Sequence, residues 1–431
     1  MDELGLTFIF IAILAIFLAS GLWVALSLIG VAAIGMFLFT ARPVGDAMAT
    51  VIWSASSSWT LTALPLFIWM GEILFRTRLS NYLFRGLTPW LQPLPGGLLH
   101  VNVAGSALFA AICGSSAATV LTVGKMSVPE LLRRNYPASM VIGTLAGAGT
   151  LGLLIPPSII LIIYGVSVNE SIAKLFVAGI LPGLMLAMLF MGYIVVWDLV
   201  SGRAREERES YSWRERLAAL RLILPILLLI AAVMGSIYWG IATATEAAVV
   251  GVAGALLISW SQGALNRESF ATSLMSATRT SAMIAFILAG SAFLTLAMGF
   301  TGLPRAVATA IAGLELSPAM LLVALAIFYV LLGCFLDGIS AIVLTMAVIE
   351  PIARGAGFDM IWFGIYLTLL VEIAQITPPV GFNLFVLQGM TGRDMGFIAR
   401  AALPMFLLML AAVAIITVFP EIATFLPSRM R

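Results

Sequence analysis

Charged and reactive side chains are scarce in this sequence of 431 residues. Asp, Glu, Lys and Arg together make up only 10% of it, hydrophobic residues make up 62%, and the mean hydropathy is +1.12. Such a chain cannot cover a water-exposed surface, which excludes a soluble globule and indicates a polytopic protein of the lipid bilayer. The net charge of +2 is too small to predict nucleic-acid binding.

Histidine and cysteine are nearly absent, which excludes most catalytic and metal sites. Cys113 and Cys334 are isolated in apolar segments and predict no disulfide framework, redox pair or metal centre. The single histidine, His100, is expected at the surface beside a Gly-rich turn, and no HExxH, GxSxG or phosphate-binding loop occurs. We therefore expect neither an enzyme nor an organic cofactor.

Proline positions in the first half of the chain recur in the second half at a fixed offset of 222 residues. Pro129, Pro156, Pro157 and Pro182 recur as Pro351, Pro378, Pro379 and Pro404. Matched helix breaks of this kind predict two copies of one unit. Backbone groups freed by proline cannot face lipid, so the breaks predict a transport site that is buried or lines a wet cavity.

Apolar segments of membrane-spanning length predict ten crossings. Eight are continuous: 4–20, 22–40, 49–75, 171–199, 219–240, 243–262, 281–300 and 397–425. Two more, 137–168 and 359–390, are broken helices, because each contains a Pro-Pro pair. The stretches 97–126 and 317–349 are apolar but interrupted by Gly and small polar residues, and they predict re-entrant hairpins.

The fold class that follows is an all-α polytopic membrane protein with two inverted repeats. N-terminal helices occupy 1–48, the first repeat 49–200, a charged cytoplasmic linker 201–221, connecting helices 219–270 and the second repeat 271–426. With both termini outside, 16 Lys and Arg lie on the inner side and 6 on the outer side. Because basic loops stay cytoplasmic, this orientation is favoured, and it turns the two hairpins to opposite faces.

Candidate ligand-binding residues lie at the hairpin turns and helix breaks. The first hairpin carries Gly114, Ser115 and Ser116, and the first break carries Gly149 and Thr150. An unwound turn exposes carbonyl oxygens beside the positive end of a half helix, which suits a sodium ion and an anionic group held side by side. The alternative is that these small residues serve tight helix packing alone.

Two carboxylates distinguish the second copy from the first. Asp337 replaces Ser115 at the hairpin turn, and a carboxylate within the membrane is expensive, so Asp337 either contacts the substrate or caps the returning helix. Glu372 lies ahead of the second break, near Gln375. Three interpretations of Glu372 stay open: it binds a cation, pairs with a buried base, or stabilises the helix break.

The runs 114–166, with GTLGLLIPPS, and 333–390, with EIAQITPPVGFN, resemble the large membrane subunit of tripartite ATP-independent periplasmic (TRAP) transporters. The resemblance covers nearly the whole chain. It implies a sodium-coupled importer of a small organic anion, often a carboxylate or sialic acid, that works by an elevator-like shift of the hairpin-bearing domain. A passive anion channel and a non-catalytic membrane scaffold subunit are the alternatives.

The resemblance also implies partners and a location. The partners are a small four-helix membrane subunit, expected as a separate polypeptide, and a soluble periplasmic substrate-binding protein. The location is the bacterial cytoplasmic (inner) membrane, with both termini periplasmic.

Carried over position by position, the resemblance supplies two ligand sets. The implied sodium ligands are Ser115, Gly149, Thr150 and Pro156 in the first repeat and Gly333, Thr377, Pro378 and Gly381 in the second. The implied substrate contacts are Ser116, Asp337 and Asn383.

Overall fold

The computed structural model describes residues 3–77, 79–201, 211–302, 313, 316–334, 336–379 and 381–430, and within these ranges every regular element is a helix. The first half contains α1 (Glu3–Ala19), α2 (Val24–Phe39), α3 (Val44–Ser56), α4 (Ala63–Phe75), α5 (Leu79–Leu91), α6 (Leu99–Cys113), α7 (Ser116–Arg133), α8 (Ala138–Leu154), α9 (Ile159–Val168) and α10 (Ile172–Ser201). The second half contains α11 (Trp213–Tyr238), α12 (Ala244–Ser261), α13 (Arg267–Thr301), α14 (Pro318–Gly333), α15 (Gly338–Gly355), α16 (Met360–Gln375), α17 (Phe382–Thr391), α18 (Met395–Val418) and α19 (Glu421–Thr424).

The described helices confirm a multi-pass membrane protein but not the predicted number of crossings. Seven spans are long and apolar enough to cross a membrane, or eight if the bent pair α3 and α4 is one span, against ten predicted. The difference includes α2 and α16, which have 16 residues each. At about 1.5 Å per residue, such helices fall short of a hydrocarbon core of about 30 Å.

The predicted continuous crossing 49–75 is wrong, because α3 and α4 meet at an angle of 53°. Three consecutive serines from Ser56 to Ser58 end α3, and a short 3-10 turn over Trp59–Thr62 follows. Serine hydroxyls compete for backbone groups and favour helix ends over helix interiors. Pro65 then lies in the first turn of α4, where its missing N–H would have had no helical partner.

Both Pro-Pro pairs break their helices, as predicted. The first break separates Leu154 of α8 from Ile159 of α9, and the second separates Gln375 of α16 from Phe382 of α17. The single prolines do not act as breaks, which corrects the prediction for them. Pro129, Pro182, Pro351 and Pro404 all lie inside continuous helices. One proline removes one N–H, and packed membrane helices tolerate this loss.

Helix pairs occupy the positions of both predicted hairpins, and both are longer than predicted. The pair α6 and α7 turns at Gly114 and continues to Arg133, and the pair α14 and α15 continues to Gly355. Each pair extends past the predicted limit because its proline does not end the helix. That the pairs are re-entrant and oppositely oriented stays a prediction.

The charged linker predicted over 201–221 lies partly outside the described residues, and its last part is helical. Helix α11 begins at Trp213, six residues before the predicted start of the connecting helices at 219. The Ser212 hydroxyl accepts a hydrogen bond from the Glu215 N–H, and the Glu215 carboxylate accepts one from the Ser212 N–H at 2.7 Å. This reciprocal cap fixes the helix start within a polar stretch.

The two broken helices form the centre of the described protein. In α8 every residue from Met140 to Leu154 is buried, and in α16 every residue from Trp362 to Gln375 is buried. Helices α6, α7, α10 and α18 pack around α8. The first break, with Pro156 and Pro157 buried, therefore lies inside protein rather than against lipid, as unpaired backbone groups require, whereas Pro378 and Pro379 of the second break are exposed.

Gly143 of α8 tests this central packing, because a methyl group there would collide with the backbone oxygen of Ala401 in α18. We expect Gly143→Ala to lower the free energy of unfolding by about 1–3 kcal/mol, the usual cost of overpacking. Gly192 of α10 is the matched control, since a methyl group there meets nothing within 4 Å. Thermal unfolding of the purified protein in detergent would measure both, and equal melting temperatures for the two variants would contradict the packing.

Candidate functional site

The turn of the first hairpin lies directly against the first helix break. Gly114 ends α6 with a φ of +61°, a conformation that L side chains rarely adopt. A methyl group on Gly114 would stand 2.8 Å from the Pro157 carbonyl oxygen and 3.3 Å from the Ile159 nitrogen. Only glycine permits the backbones to approach this closely.

The four sodium ligands implied for the first repeat lie around this contact. The backbone oxygen of Ser115 would stand 2.8 Å from a methyl group on Gly152 of α8. One turn earlier, Gly149 packs under the side chain of Val120 in α7, and the Thr150 hydroxyl donates a hydrogen bond to the Gly147 carbonyl at 2.8 Å. The hairpin turn and the end of α8 therefore form one compact region of backbone and hydroxyl oxygens.

The four sodium ligands implied for the second repeat gather around the second break. Gly333, at the end of α14, packs against Ala374 of α16 so closely that a methyl group on Gly333 would collide with it. The Cys334 thiol donates to the Pro378 carbonyl at 3.4 Å, and the Thr377 hydroxyl donates to the Ile373 carbonyl at 2.7 Å. A methyl group on Gly381 would stand 2.8 Å from the Gln375 carbonyl oxygen.

Of the three implied substrate contacts, two touch each other. The Ser116 hydroxyl donates to the Asn383 side-chain oxygen at 3.0 Å, joining the start of α7 to the start of α17. Ser116 is 4% exposed and Asn383 is fully buried, and the Asn383 amide nitrogen has no hydrogen-bond partner in the described part of the chain. Buried polar atoms are normally paired, so an amide nitrogen without a partner at this position is suited to donate a hydrogen bond to a ligand oxygen.

Asp337 lies at the start of α15, at the protein surface rather than among buried residues. Its side chain is exposed and caps α15, accepting hydrogen bonds from the N–H groups of Ile339 at 3.1 Å and Ser340 at 3.2 Å. The hydroxyl of Ser340 also donates to the carboxylate. These contacts match the interpretation of Asp337 as a helix cap. No hydrogen bond among the described residues joins Asp337 to Ser116 or Asn383.

Three helix N-termini, those of α7, α9 and α17, converge at these contacts, and the N-terminus of α15 lies beside α9. The Ser116–Asn383 bond joins the start of α7 to the start of α17. Gly114, in the turn before α7, packs against the start of α9. A methyl group on Gly338 at the start of α15 would lie 3.4 Å from the Ile160 side chain of α9. A helix N-terminus carries N–H groups without helical partners and about half a positive charge, and at α15 the Asp337 carboxylate already accepts two of these N–H groups. Such a cluster of N-termini is suited to an anion.

Glu372 was named from the sequence but not placed in either ligand set. It is fully buried, and neither carboxylate oxygen has a hydrogen-bond partner among the described residues. The Thr150 hydroxyl and the Leu154 backbone lie beside its carboxyl group. Hydropathy could not reveal this position, because an acidic residue in an apolar run can face either the protein interior or a polar surface.

His100 was expected at the surface and is fully buried, so that prediction was wrong. Its Nε2 lies 2.6 Å from the Pro95 carbonyl oxygen, and because a carbonyl only accepts, Nε2 carries the proton. This bond anchors the Gly-rich turn at the start of α6. The histidine thereby contributes to the packing of this turn.

A polar cavity of about 540 Å³ opens between α3, α9, α13 and α15. Hydroxyl and amide side chains line much of it: Thr50, Ser54, Ser58, Ser167, Asn169, Ser291 and Thr295. Glu350 also lines it and pairs with Arg354 at 3.0 Å, and Arg354 in turn reaches the Val168 carbonyl at 3.1 Å. The Arg354 side chain thus ties α15 to the C-terminal end of α9 at the edge of the cavity.

Comparison with known families gives a match over most of the chain. The family model described as "Tripartite ATP-independent periplasmic transporter, DctM component" matches residues 11–422. The sequence is 33% identical over 382 residues to the C4-dicarboxylate TRAP transporter large permease protein DctM of Pseudomonas aeruginosa, covering 88% of this chain and 89% of that protein.

Other similar proteins carry different substrate names. The ectoine TRAP transporter large permease protein TeaC of Halomonas elongata is 32% identical over 85% of this chain and 86% of its own length. The sialic acid TRAP transporter permease protein SiaT of Haemophilus influenzae is 28% identical over 99% of this chain, which spans 69% of that longer protein.

A solved structure shares the fold. The YdaH transporter of Alcanivorax borkumensis, described as having an unusual topology, superimposes with a TM-score of 0.61 over 94% of this chain and 96% of its own. The sequence identity is 12%, so this likeness concerns the fold alone.

The Ser116–Asn383 bond can be tested by a double-mutant cycle. We expect Ser116→Ala to lower the free energy of unfolding by about 1–3 kcal/mol, because it leaves the Asn383 side-chain oxygen buried and unpaired. After Asn383→Ala the same change should cost much less. Ser236→Ala in α11 is the control, since that hydroxyl donates to the Val233 carbonyl of its own helix. Thermal unfolding provides the measurement, and strictly additive effects would contradict the contact.

Proposed function

The chain belongs to the TRAP transporter family as its large membrane permease subunit, and from this premise we propose that it imports a small organic anion together with sodium ions. The observation that carries the proposal is the convergence of the N-termini of α7, α9 and α17 around the buried Ser116–Asn383 pair. Oriented N–H groups and a free amide nitrogen recognise a carboxylate without a formal positive charge.

Ser116 and Asn383 are the proposed side-chain contacts of the substrate carboxylate. Asp337 is proposed as a contact for a different part of the same molecule. Its carboxylate only accepts hydrogen bonds, so it suits a hydroxyl group of the substrate rather than an acidic group. Names among the relatives, which include C4-dicarboxylate and sialic acid, support a small carboxylate as the substrate class.

Sodium coupling is proposed from the two helix breaks and the charge of the substrate. The breaks bring together backbone carbonyls and hydroxyls around Ser115, Thr150, Thr377 and Pro378, the type of oxygen ligands that alkali cations accept. Moving one elementary charge across the membrane is worth roughly 2.3 kcal/mol per 100 mV. Bound sodium ions offset the charge of the anion and allow the inward gradient to drive its uptake.

The helix packing supports an elevator-like movement. One group of helices, α2, α3, α4, α12 and α13, packs mainly within itself, and the hairpins and broken helices pack mainly around α8 and α16. We propose that the hairpin-bearing group slides against the first group. The polar cavity lies between them, with α3 and α13 on one side and α9 and α15 on the other.

Membership of the family implies a small membrane subunit and a periplasmic substrate-binding protein as partners. One relative, the isethionate permease DctMQ of Oleidesulfovibrio alaskensis, is longer than this chain, which spans 65% of it. We propose a four-helix membrane subunit as the small partner. We also propose the bacterial inner membrane as the location, with both termini periplasmic.

Sodium replacement tests the coupling. Proteoliposomes that contain the chain, its small subunit and loaded binding protein should accumulate labelled substrate under an inward sodium gradient. Accumulation should vanish when potassium replaces external sodium, because the driving ion is then missing. Accumulation at the same rate in potassium would refute the proposed symport, and non-saturating conduction would favour a channel.

Asp337→Asn tests the proposed hydroxyl contact without removing the helix cap, since Asn caps as well as Asp. We expect a rise in KM of about tenfold, equivalent to roughly 1.4 kcal/mol for one charge-assisted hydrogen bond. The melting temperature should be unchanged. Unchanged KM at normal expression would leave Asp337 with the capping role alone.

A further inference from the structure

Helix α11 presents most of its surface to the surroundings of the protein. It is long and apolar enough to span a membrane, and only 28% of its apolar stretch is buried, the smallest share among the described spans. Leu217, Leu224 and Leu228 are exposed and follow one another at spacings of seven and four residues. They therefore share one face of the helix, which in a bilayer packs against lipid chains.

Two arginines lie on this same face, toward the start of α11. Arg221 comes four residues after Leu217 and three before Leu224, and Arg214 comes seven residues before Arg221. Both arginine side chains are exposed, and at about 1.5 Å per residue their positions are roughly 10 Å apart along the helix axis. The face thus carries positive charge at its first turns and apolar surface beyond them.

A third arginine, Arg216, is held in place by two tryptophans. Its guanidinium carbon lies 5.3 Å from the centre of the Trp213 ring, and its backbone carbonyl accepts a hydrogen bond from Trp90 Nε1 at 3.2 Å. The two indole rings meet edge to face, with 6.2 Å between their centres. The Arg216 Nε is buried and has no hydrogen-bond partner within the described ranges. Buried donors are normally paired, so this N–H indicates an acceptor from outside the chain.

Helix α5 crosses this part of α11 and adds a fourth arginine. A methyl group on Gly86 of α5 would collide with the Ile223 side chain and stand 3.2 Å from the Ala219 carbonyl oxygen, so the two helices touch there. Arg85, the neighbour of Gly86, is exposed, and Arg221 lies between Ala219 and Ile223 in the sequence. Both arginines therefore lie beside the same helix crossing.

The only acidic residue of α5 and α11 serves as a helix cap. The Glu215 carboxylate accepts hydrogen bonds from the Ser212 N–H at 2.7 Å and from the Ser212 hydroxyl at 2.9 Å. In the part of the chain that the structure describes, none of the four arginines forms an ion pair; the arginines that do are Arg76, Arg133, Arg134 and Arg354. The helix crossing therefore keeps a concentrated positive charge.

We propose that the crossing of α5 and α11 binds the headgroup of an anionic phospholipid. Guanidinium groups donate paired hydrogen bonds to phosphate oxygens, and indole rings favour the boundary between headgroups and acyl chains. The exposed leucines of α11 offer the acyl chains an apolar surface that a soluble anion could not use. The residues assigned to the headgroup are Arg85, Trp90, Trp213, Arg214, Arg216 and Arg221.

The proposed orientation of the chain places this crossing at the cytoplasmic leaflet. Basic pockets between membrane helices on that side are of the kind that anionic headgroups occupy. Helix α5 connects α4 to α6 of the first hairpin, so a bound lipid would fix the connection between the two groups of helices. Lipid binding needs no transported substrate, and only the leaflet depends on the proposed orientation.

The test is lipid-dependent thermal stability of the chain purified with its small subunit in a neutral detergent. Dioleoylphosphatidylglycerol should raise the melting temperature of the wild type at a lower mole fraction than dioleoylphosphatidylcholine does. In the double variant Arg214→Gln, Arg221→Gln, the phosphatidylglycerol fraction for half-maximal stabilisation should rise at least tenfold, because two charged donors are lost. The response of this variant to phosphatidylcholine should equal that of the wild type.

Matched variants separate the outcomes. The pair Arg267→Gln, Arg279→Gln removes the same charge from exposed positions of α13 and should respond as the wild type. Arg216→Lys keeps the charge but loses the planar guanidinium, so it should also weaken the response to phosphatidylglycerol. This single change measures the site independently if the double variant does not fold.

Three results would overturn the proposal. The first is an equal response to phosphatidylglycerol in the wild type, the double variant and Arg216→Lys. The second is equal stabilisation by inorganic phosphate, because the ligand would then be a soluble anion. The third is loss of the small subunit from the double variant during purification, which would assign the helix crossing to that subunit.

Discussion

In surroundings without water, every backbone group that a broken helix leaves unpaired must find a partner within the protein. At the first break the Ser158 hydroxyl donates to the Leu153 carbonyl and accepts from the Leu161 N–H, so one side chain serves both helix ends. At the second break the Thr377 hydroxyl donates a hydrogen bond to the Ile373 carbonyl, and the Cys334 thiol donates one to the Pro378 carbonyl. The backbone N–H and C=O groups at the helix ends that stay unpaired supply the electrostatic potential on which the site depends.

Those potentials have opposite sign on the two sides of each break. A helix that stops and starts again presents a negative end and a positive end within a few residues of one another. Placing two such breaks side by side gives one region suited to an anion and a neighbouring region suited to a cation. Simultaneous binding of both is then favourable, since each ion lowers the electrostatic cost of the other.

The sequence predicted those features that leave a pattern at short range. Adjacent prolines remove two neighbouring N–H groups, so both Pro-Pro breaks were predictable, whereas single prolines such as Pro182 lie in helices that other contacts support. The small residues of the first hairpin were likewise predictable, because Gly114 must adopt a positive φ where backbones meet. The Ser56–Ser58 bend was missed, since hydropathy alone marks the whole segment as apolar.

Burial of individual polar residues could not be predicted, because it depends on contacts between distant parts of the chain. Asp337 and Glu372 both interrupt apolar segments, yet Asp337 is an exposed helix cap and Glu372 is buried on the side of α16 that faces α8. His100 shows the same limit, as its partner Pro95 gives no signal in the sequence. The Ser116–Asn383 pair became evident only when both hairpin and break were placed in space.

That pair joins residues separated by 267 positions, which has a consequence for how the chain is made. A ribosome completes α7 long before it reaches α17, so the nascent first half enters the bilayer with its polar turn unmatched. During that interval the turn must be shielded by water, by insertion machinery or by neighbouring segments. Correct biogenesis therefore requires late docking between two halves already in the membrane. Truncation products would expose the unpaired, partly hydrated turn to cellular quality control.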